Sequence, residues 1–176
     1  MSTDPVQPDS ILIDGSTPHL PSELITLLNS LSIDHSILVH PPLHTVEESK
    51  IHRPDNPGGF TKNLFVYNKK KQMWLLTLQE DRVINLKQAA KQLSAQNFSF
   101  ASPERLMQYL GIRPGSVSPL ALINDKSNQV QFVIDEALLA HEMIHVHPLD
   151  NCQTLTMPTQ KLLNFLASTN HDYLTI

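Results

Sequence analysis

Five residues, His141-Glu142-Met143-Ile144-His145, have the H-E-x-x-H spacing of a zinc hydrolase, with His147 nearby as a possible third ligand. That chemistry needs a continuous helix, because only there do positions i and i+4 bring two imidazoles to one metal while the Glu activates water. Ile144, Val146 and the stop at Pro148 favour an extended segment instead, which sends neighbouring side chains to opposite faces. The expectation is therefore no metal, with His141 and Glu142 at a solvated helix end. A second set of polar and glycine residues is spread over three loops. Gly58-Gly59-Phe60-Thr61-Lys62-Asn63 and Gly115-Ser116-Val117-Ser118-Pro119 each lead into an expected strand, and His147-Pro148-Leu149-Asp150-Asn151 leaves a third. Glycines let a backbone approach a ligand and leave N–H groups for an oxyanion or phosphate. Lys62 adds positive charge and Asn63 a directional amide; each loop taken alone also reads as an ordinary connection.

These residues need elements to hold them. Leu20, Leu24, Leu27, Leu28 and Leu31 recur at helical spacing after Pro21 and Ser22. Ser36–His40 is a short β-prone run stopped by Pro41-Pro42. Asn63–Tyr67 and Met73–Leu78 read as a hairpin around the solvated turn Asn68-Lys69-Lys70-Lys71-Gln72. Leu86, Ala89, Ala90 and Leu93 mark a helix, Phe98–Phe100 a short strand, and Ser102 with Pro103 opens a helix that Gly111 closes. Leu120–Ile123 and Val130–Ile134 are expected to form a second hairpin, Asp135 to cap a short helix, Ile144–His147 to form a strand, and Leu162, Leu163, Phe165 and Leu166 to sit on a last helix. Strands in adjacent pairs among several helices predict one α+β domain with a mixed, largely antiparallel sheet. Its expected bounds are residues 16–170, with a loose arm at 1–15 and a polar tail at 171–176.

Composition narrows the function. The 176 residues are 40% hydrophobic and 17% charged, which excludes wholesale disorder. Thirteen Lys and Arg against seventeen Asp and Glu give a charge of -4, which argues against indiscriminate binding to nucleic acid or anionic membrane but leaves a local RNA contact open. The single Cys152 excludes an internal disulfide and fits a reducing cytoplasm. Residues 1–10 lack the basic run and apolar core of a signal peptide, and no apolar stretch is long enough to span a bilayer.

Taken in order, His40-Pro41-Pro42 with Thr45-Val46-Glu47-Glu48, Gly58 to Phe65, Trp74-Leu75-Leu76, Ser99 to Leu106, Gly115 to Pro119, Ile123-Asn124-Asp125 and His147 to Asn151 resemble the YbaK/prolyl-tRNA synthetase editing-domain family. The Lys-Asn-Leu-Phe and His-Pro-Leu-x-Asn pieces are similar to its free-standing prolyl-tRNA editing branch, over about Leu20 to Ala167. The resemblance implies an aminoacyl-tRNA deacylase that acts on mischarged tRNA(Pro), most characteristically alanyl-tRNA(Pro), and that needs no cofactor. Its partners would be the tRNA acceptor end and prolyl-tRNA synthetase. The corresponding catalytic set is Lys62, Asn63, Gly115 and His147. His147 is open to a positioning role or a purely structural one. The corresponding substrate-binding set is His40, Thr45, Ser116 and Asn151, although His40, ahead of two prolines, also reads as structural. Ile33, Leu43 and Val46, around the Pro41-Pro42 corner, are candidate walls of a pocket that excludes proline by size. Phe60 stands where many relatives have His, and Cys152 has no assigned role. The alternative is a non-catalytic module that binds tRNA or a synthetase on the same fold.

Overall fold

A computed structural model describes residues 10–53, 55 and 57–176. An eight-stranded mixed sheet runs in the order β1-β7-β6-β2-β3-β5-β8, with β4 beside β2. The strands are β1 Ser36–Val39, β2 Gly59–Tyr67, β3 Met73–Gln79, β4 Ser99–Phe100, β5 Val130–Ile134, β6 Met143–Val146, β7 Gln153–Pro158 and β8 Tyr173–Thr175. Four pairs are antiparallel (β1 with β7, β2 with β3, β2 with β4, β6 with β7), and three are parallel (β2 with β6, β3 with β5, β5 with β8).

Helices cover both faces, so the central strand β3 is buried for six consecutive residues from Met73 to Leu78. Met73 and Leu75 meet the larger core, packed with α1 Pro21–Ser30, α4 Pro103–Leu110 and α6 Thr159–Ser168. Trp74, Leu76 and Leu78 meet the smaller core, with Ala89 and Ala90 of α3 Leu86–Gln92. Between β1 and β2 lies α2, Val46–Ile51, which buries none of its residues and so sits over a polar part of the molecule.

The expected local signals hold for α4, where Ser102 Oγ accepts from Arg105 N–H and Gly111 takes a left-handed φ of 63°. The β2–β3 hairpin and the Asp135 cap on α5 Glu136–Leu139 also form as expected. Leu120–Ile123 is not a strand. It lies in a fully buried 3₁₀ helix, Pro119–Asn124, opened by Ser118 with Pro119 in the first turn. A short apolar run carries no period that separates strand from buried helix. Val130–Ile134 consequently has no hairpin partner and pairs in parallel with β3 and β8.

Both chain ends are tied into the fold where they are described. Residues 1–9 lie outside the described residues, but Leu12 is buried and the Ile13 N–H donates to Gln108 O at 2.8 Å. Leu12 fits beside Gly111, where a Cβ would come within 3.1 Å of its Cδ2. The tail 171–176 contributes β8, and His171 is buried 3.0 Å from Asp125 Oδ2. No helix among the described residues is long and apolar enough to cross a membrane.

Candidate active site

A break in the sheet lies at Lys62 and Asn63. On the edge away from β3, β2 pairs with β6 only at Gly59 and Phe60, and with β4 only at Val66 and Tyr67. Among the described residues it has no strand partner between those points. Glu80 N–H donates to Phe60 O on the β3 side, whereas Ala101 N–H donates to Phe65 O on the other side. Main-chain groups alternate along a strand, so odd-numbered residues present N–H and C=O to the break, Asn63 among them.

The unbroken β2–β3 register sets Lys62 opposite Leu78 and Asn63 opposite Thr77. The two side chains therefore point to opposite faces. Lys62 shares its face with Phe60, and its Nζ donates to the Arg82 carbonyl. Arg82 is in turn held by Asp135 Oδ1 at 2.7 Å and by the Ile176 backbone oxygen at 2.9 Å. Asn63 faces the other way, and Thr77 Oγ1 donates to its Oδ1 at 2.6 Å, leaving the amide Nδ2 as the donor.

Two cavities flank the break. On the Asn63 side an open groove of about 340 Å³ is lined by Asn63, Phe65, Phe100, Leu106, Gly115 and Val117 among others. Gly115 earns its place through a turn: Ser116 N–H donates to Arg113 O at 3.1 Å, with Pro114 and then Gly115 at the centre and a φ of 92° at the glycine. That is the type II pattern, which favours Gly at its third position. Ser116 N–H is thereby committed to the turn, and the segment leads into the 3₁₀ helix, not into a strand.

On the other side a small cleft is lined by Ser49, His52, Arg53, Phe60, Thr61, Glu80, His145, Val146, His147 and Thr154. Phe60 stacks on His145 with ring centroids 4.3 Å apart, and the Arg53 guanidinium lies 4.0 Å above the Phe60 ring while pairing with Glu80. Gly58 and Gly59 serve close packing at this end. A Cβ on Gly58 would lie 2.7 Å from Met143 O, and one on Gly59 2.8 Å from the Leu138 side chain.

His147 lies just past β6 on the cleft wall. Its Nδ1 is 2.9 Å from Gln153 O. A carbonyl only accepts, so Nδ1 carries the proton and the neutral ring keeps Nε2 as an acceptor. Burial lowers the His147 pKa from 6.5, against a smaller upward push from that carbonyl. Burial raises the Asp150 carboxyl above 3.8.

A folded pKa below the unfolded one means that the unfolded chain binds the extra proton first. The stability tied to neutral His147 is thus complete above 6.5 and is lost as pH falls through the lower folded value. His147→Gln should flatten the fall of denaturation midpoint between about pH 7 and 5. An unchanged slope would show that His147 contributes nothing to it. Asp150 runs oppositely, its contribution being present below 3.8 and lost as pH rises through its folded value.

The remaining expected site residues scatter. His40 is satisfied at both nitrogens, Nδ1 at Pro41 O 2.8 Å away and Nε2 at Thr154 Oγ1 2.9 Å away, with its ring 6.4 Å from that of His147. Thr45 caps α2, its Oγ1 accepting from Glu48 N–H. Ser116 is buried in its turn. Asn151 joins two loops, donating to Leu43 O at 3.2 Å and lying where a Cβ on Gly115 would be 3.3 Å away. Ile33 belongs to the larger core, and neither Leu43 nor Val46 lines either of these two cavities.

Sequence reading missed His52, Arg53, Glu80 and Thr154. Of these, only Arg53 packs on Phe60, the position where the sequence departs from many relatives. The H-E-x-x-H residues are split between the turn after α5 and strand β6, and no group of three or more His, Cys, Asp or Glu among the described residues could hold a metal ion.

The profile of the aminoacyl-tRNA editing domain family matches residues 40–165. Prolyl-tRNA synthetase associated domain-containing protein 1 of Xenopus laevis is 37% identical over 158 residues, spanning 87% of this chain and 94% of that protein. Prolyl-tRNA editing protein ProX of Acetoanaerobium sticklandii is 30% identical over 151 residues, spanning 85% and 92%. A solved structure of a candidate trans-editing enzyme for prolyl tRNA synthetase is similar in fold, with a TM-score of 0.67 at 16% identity over 90% of this chain and 98% of that one.

Proposed function

The chain belongs to the aminoacyl-tRNA editing domain family, and on that premise we propose that it is a trans-acting deacylase of mischarged tRNA(Pro), alanyl-tRNA(Pro) above all, working in the cytoplasm beside prolyl-tRNA synthetase. The observation that carries this is the break in the sheet beside Asn63 of β2, with cavities on both sides. An ester crossing the break has its RNA on the groove side and its amino acid on the cleft side.

An aminoacyl ester is already labile, so catalysis requires an oriented water and donors for the oxyanion, not a strong nucleophile. The Asn63 amide and main-chain N–H meet the developing oxyanion. His147 Nε2, the acceptor of a neutral ring, orients the water and takes its proton. Lys62 adds positive charge beside the reacting ester. The tetrahedral intermediate then collapses, the C–O bond to the ribose breaks, and the ribose oxygen takes a proton. Proline is spared by size, since one methylene of favourable contact is worth only about 1–3 kcal/mol.

The test is alanine release from alanyl-tRNA(Pro) by purified protein, against uncatalysed decay and against prolyl-tRNA(Pro). The expected result is rapid hydrolysis of the first ester and none above background of the second. No turnover at high protein concentration would assign the fold to binding alone, and equal hydrolysis of both would remove the size filter.

A further inference from the structure

Basic residues are sparse in this acidic chain except for Lys69-Lys70-Lys71, consecutive at the turn between β2 and β3. Like charges packed this closely repel, and a loose turn would relieve them. This turn is tied down instead. Asn68 is buried, its Oδ1 accepts from Lys70 N–H and Gln72 N–H at 3.0 Å each, and its Nδ2 donates to Gln72 Oε1 at 2.7 Å. Lys71 N–H donates to Asn68 O, and Lys71 is held at a φ of 63°. All three lysines are exposed, and none joins an ion pair among the described residues.

The turn is continuous with the groove. Asn63, Phe65 and Tyr67 occupy successive positions on one face of β2, roughly 13 Å from first to last. The Tyr67 ring has Lys71 Nζ 4.8 Å from its centroid and Arg105 Cζ 4.3 Å from it. Beside this row the groove wall carries Phe100, 63% exposed on β4. Glu104, the acid next to Arg105, is engaged by Ser102, whose hydrogen bond holds its pKa below the ordinary value. The surface thus offers a reacting position at one end, an open apolar floor with an exposed ring, and clustered cations at the other end. A lipid would need an enclosed apolar channel. A single-stranded nucleic acid needs what is present, rings for its bases and cations for its phosphates.

We propose that this groove and the Lys69–Lys71 turn with Arg105 form the docking track for the 3′ end and adjoining backbone of an RNA whose terminal ester lies at Asn63. The proposal rests on the editing reading above. With a net charge of -4, attraction for RNA has to come from a local cluster of cations such as this one.

Fluorescence anisotropy of an uncharged acceptor-stem hairpin with a single-stranded 3′ tail, titrated with the full chain over a range of salt concentrations, tests it. The variant K69Q/K70Q/K71Q should bind at least about tenfold more weakly at low salt. Its slope of log affinity against log salt should be shallower by roughly 2 to 3, one step of 0.7–0.9 per lost phosphate contact. Phe100→Ala should weaken binding several-fold with the slope unchanged, and K87Q/K91Q on α3 should bind as wild type. The proposal is overturned if the unmodified protein shows no salt-dependent binding, if the triple variant or Phe100→Ala binds as wild type, or if K87Q/K91Q loses as much as the triple variant. The RNA carries no ester, so docking without deacylation would count against the proposed hydrolysis and leave the track standing.

Discussion

Lys62→Ala should lower kcat/KM for alanyl-tRNA(Pro) by about 10²–10³-fold, the range for losing one electrostatic group aimed at a developing charge. Thermal stability should change little, because Lys62 is half-buried and its side chain donates one described hydrogen bond, to the Arg82 carbonyl. Melting temperature and activity must therefore separate. A loss of both in proportion would make Lys62 a clamp between β2 and the segment after β3. Unchanged activity would remove it from the chemistry.

The second large effect is on stability. Asp135 is buried, and its carboxylate accepts from Arg82 at 2.7 Å, from Gln79 N–H at 3.1 Å and from Ala137 N–H at 3.1 Å. Asp135→Ala removes a helix cap worth about 1 kcal/mol and leaves donors without a partner at about 1–3 kcal/mol. Arg82 is a third exposed, so water screens its orphaned charge and the total stays at about 3 kcal/mol, at the low end of the range for breaking a fully buried pair. Guanidinium denaturation should show the midpoint falling with its slope unchanged. A loss under about 1 kcal/mol would mean that water replaces the carboxylate. Folded Asp135→Ala should also deacylate more slowly, because Arg82 carries the carbonyl that holds Lys62. Asp135→Asn, which keeps the cap, should lie between.

Local chemistry made much of the fold legible. Ser102, Pro103 and Gly111 bracket α4 because each satisfies a terminal group by its own side chain or φ, with no help from distant residues. Asp135 is legible for the same reason. What failed depended on tertiary partners. Leu120–Ile123 is apolar throughout, so only burial on all sides decides for a 3₁₀ helix. Residues 171–176 read as polar, yet β5 has an open edge that Tyr173–Thr175 completes. The candidate site was legible only as separate loops. Lys62, Asn63, Gly115 and His147 border the break or its cavities, but adjacency in sequence concealed that Lys62 and Asn63 face opposite ways. The break itself follows from where β6 stops and β4 starts, which no local pattern encodes. His52 and Arg53 sit in a polar stretch with no periodicity to mark them.

The sheet's halves meet at a narrow seam: among the described residues β2 pairs with β6 at Gly59 opposite Ile144 and Phe60 opposite His145. Those partners are 85 residues apart in the chain, whereas the β2–β3 hairpin closes locally. Closing so large a loop is entropically costly and yields few contacts, so in folding the seam forms after the elements it joins. On a ribosome, the β2–β3–β4 half can assemble while β6 and β7 are still unsynthesised, and the cleft does not exist until they arrive. Hydrogen exchange should follow the same division, with slow amides in β3 and faster opening at Gly59 and Thr61, whose N–H groups face the seam.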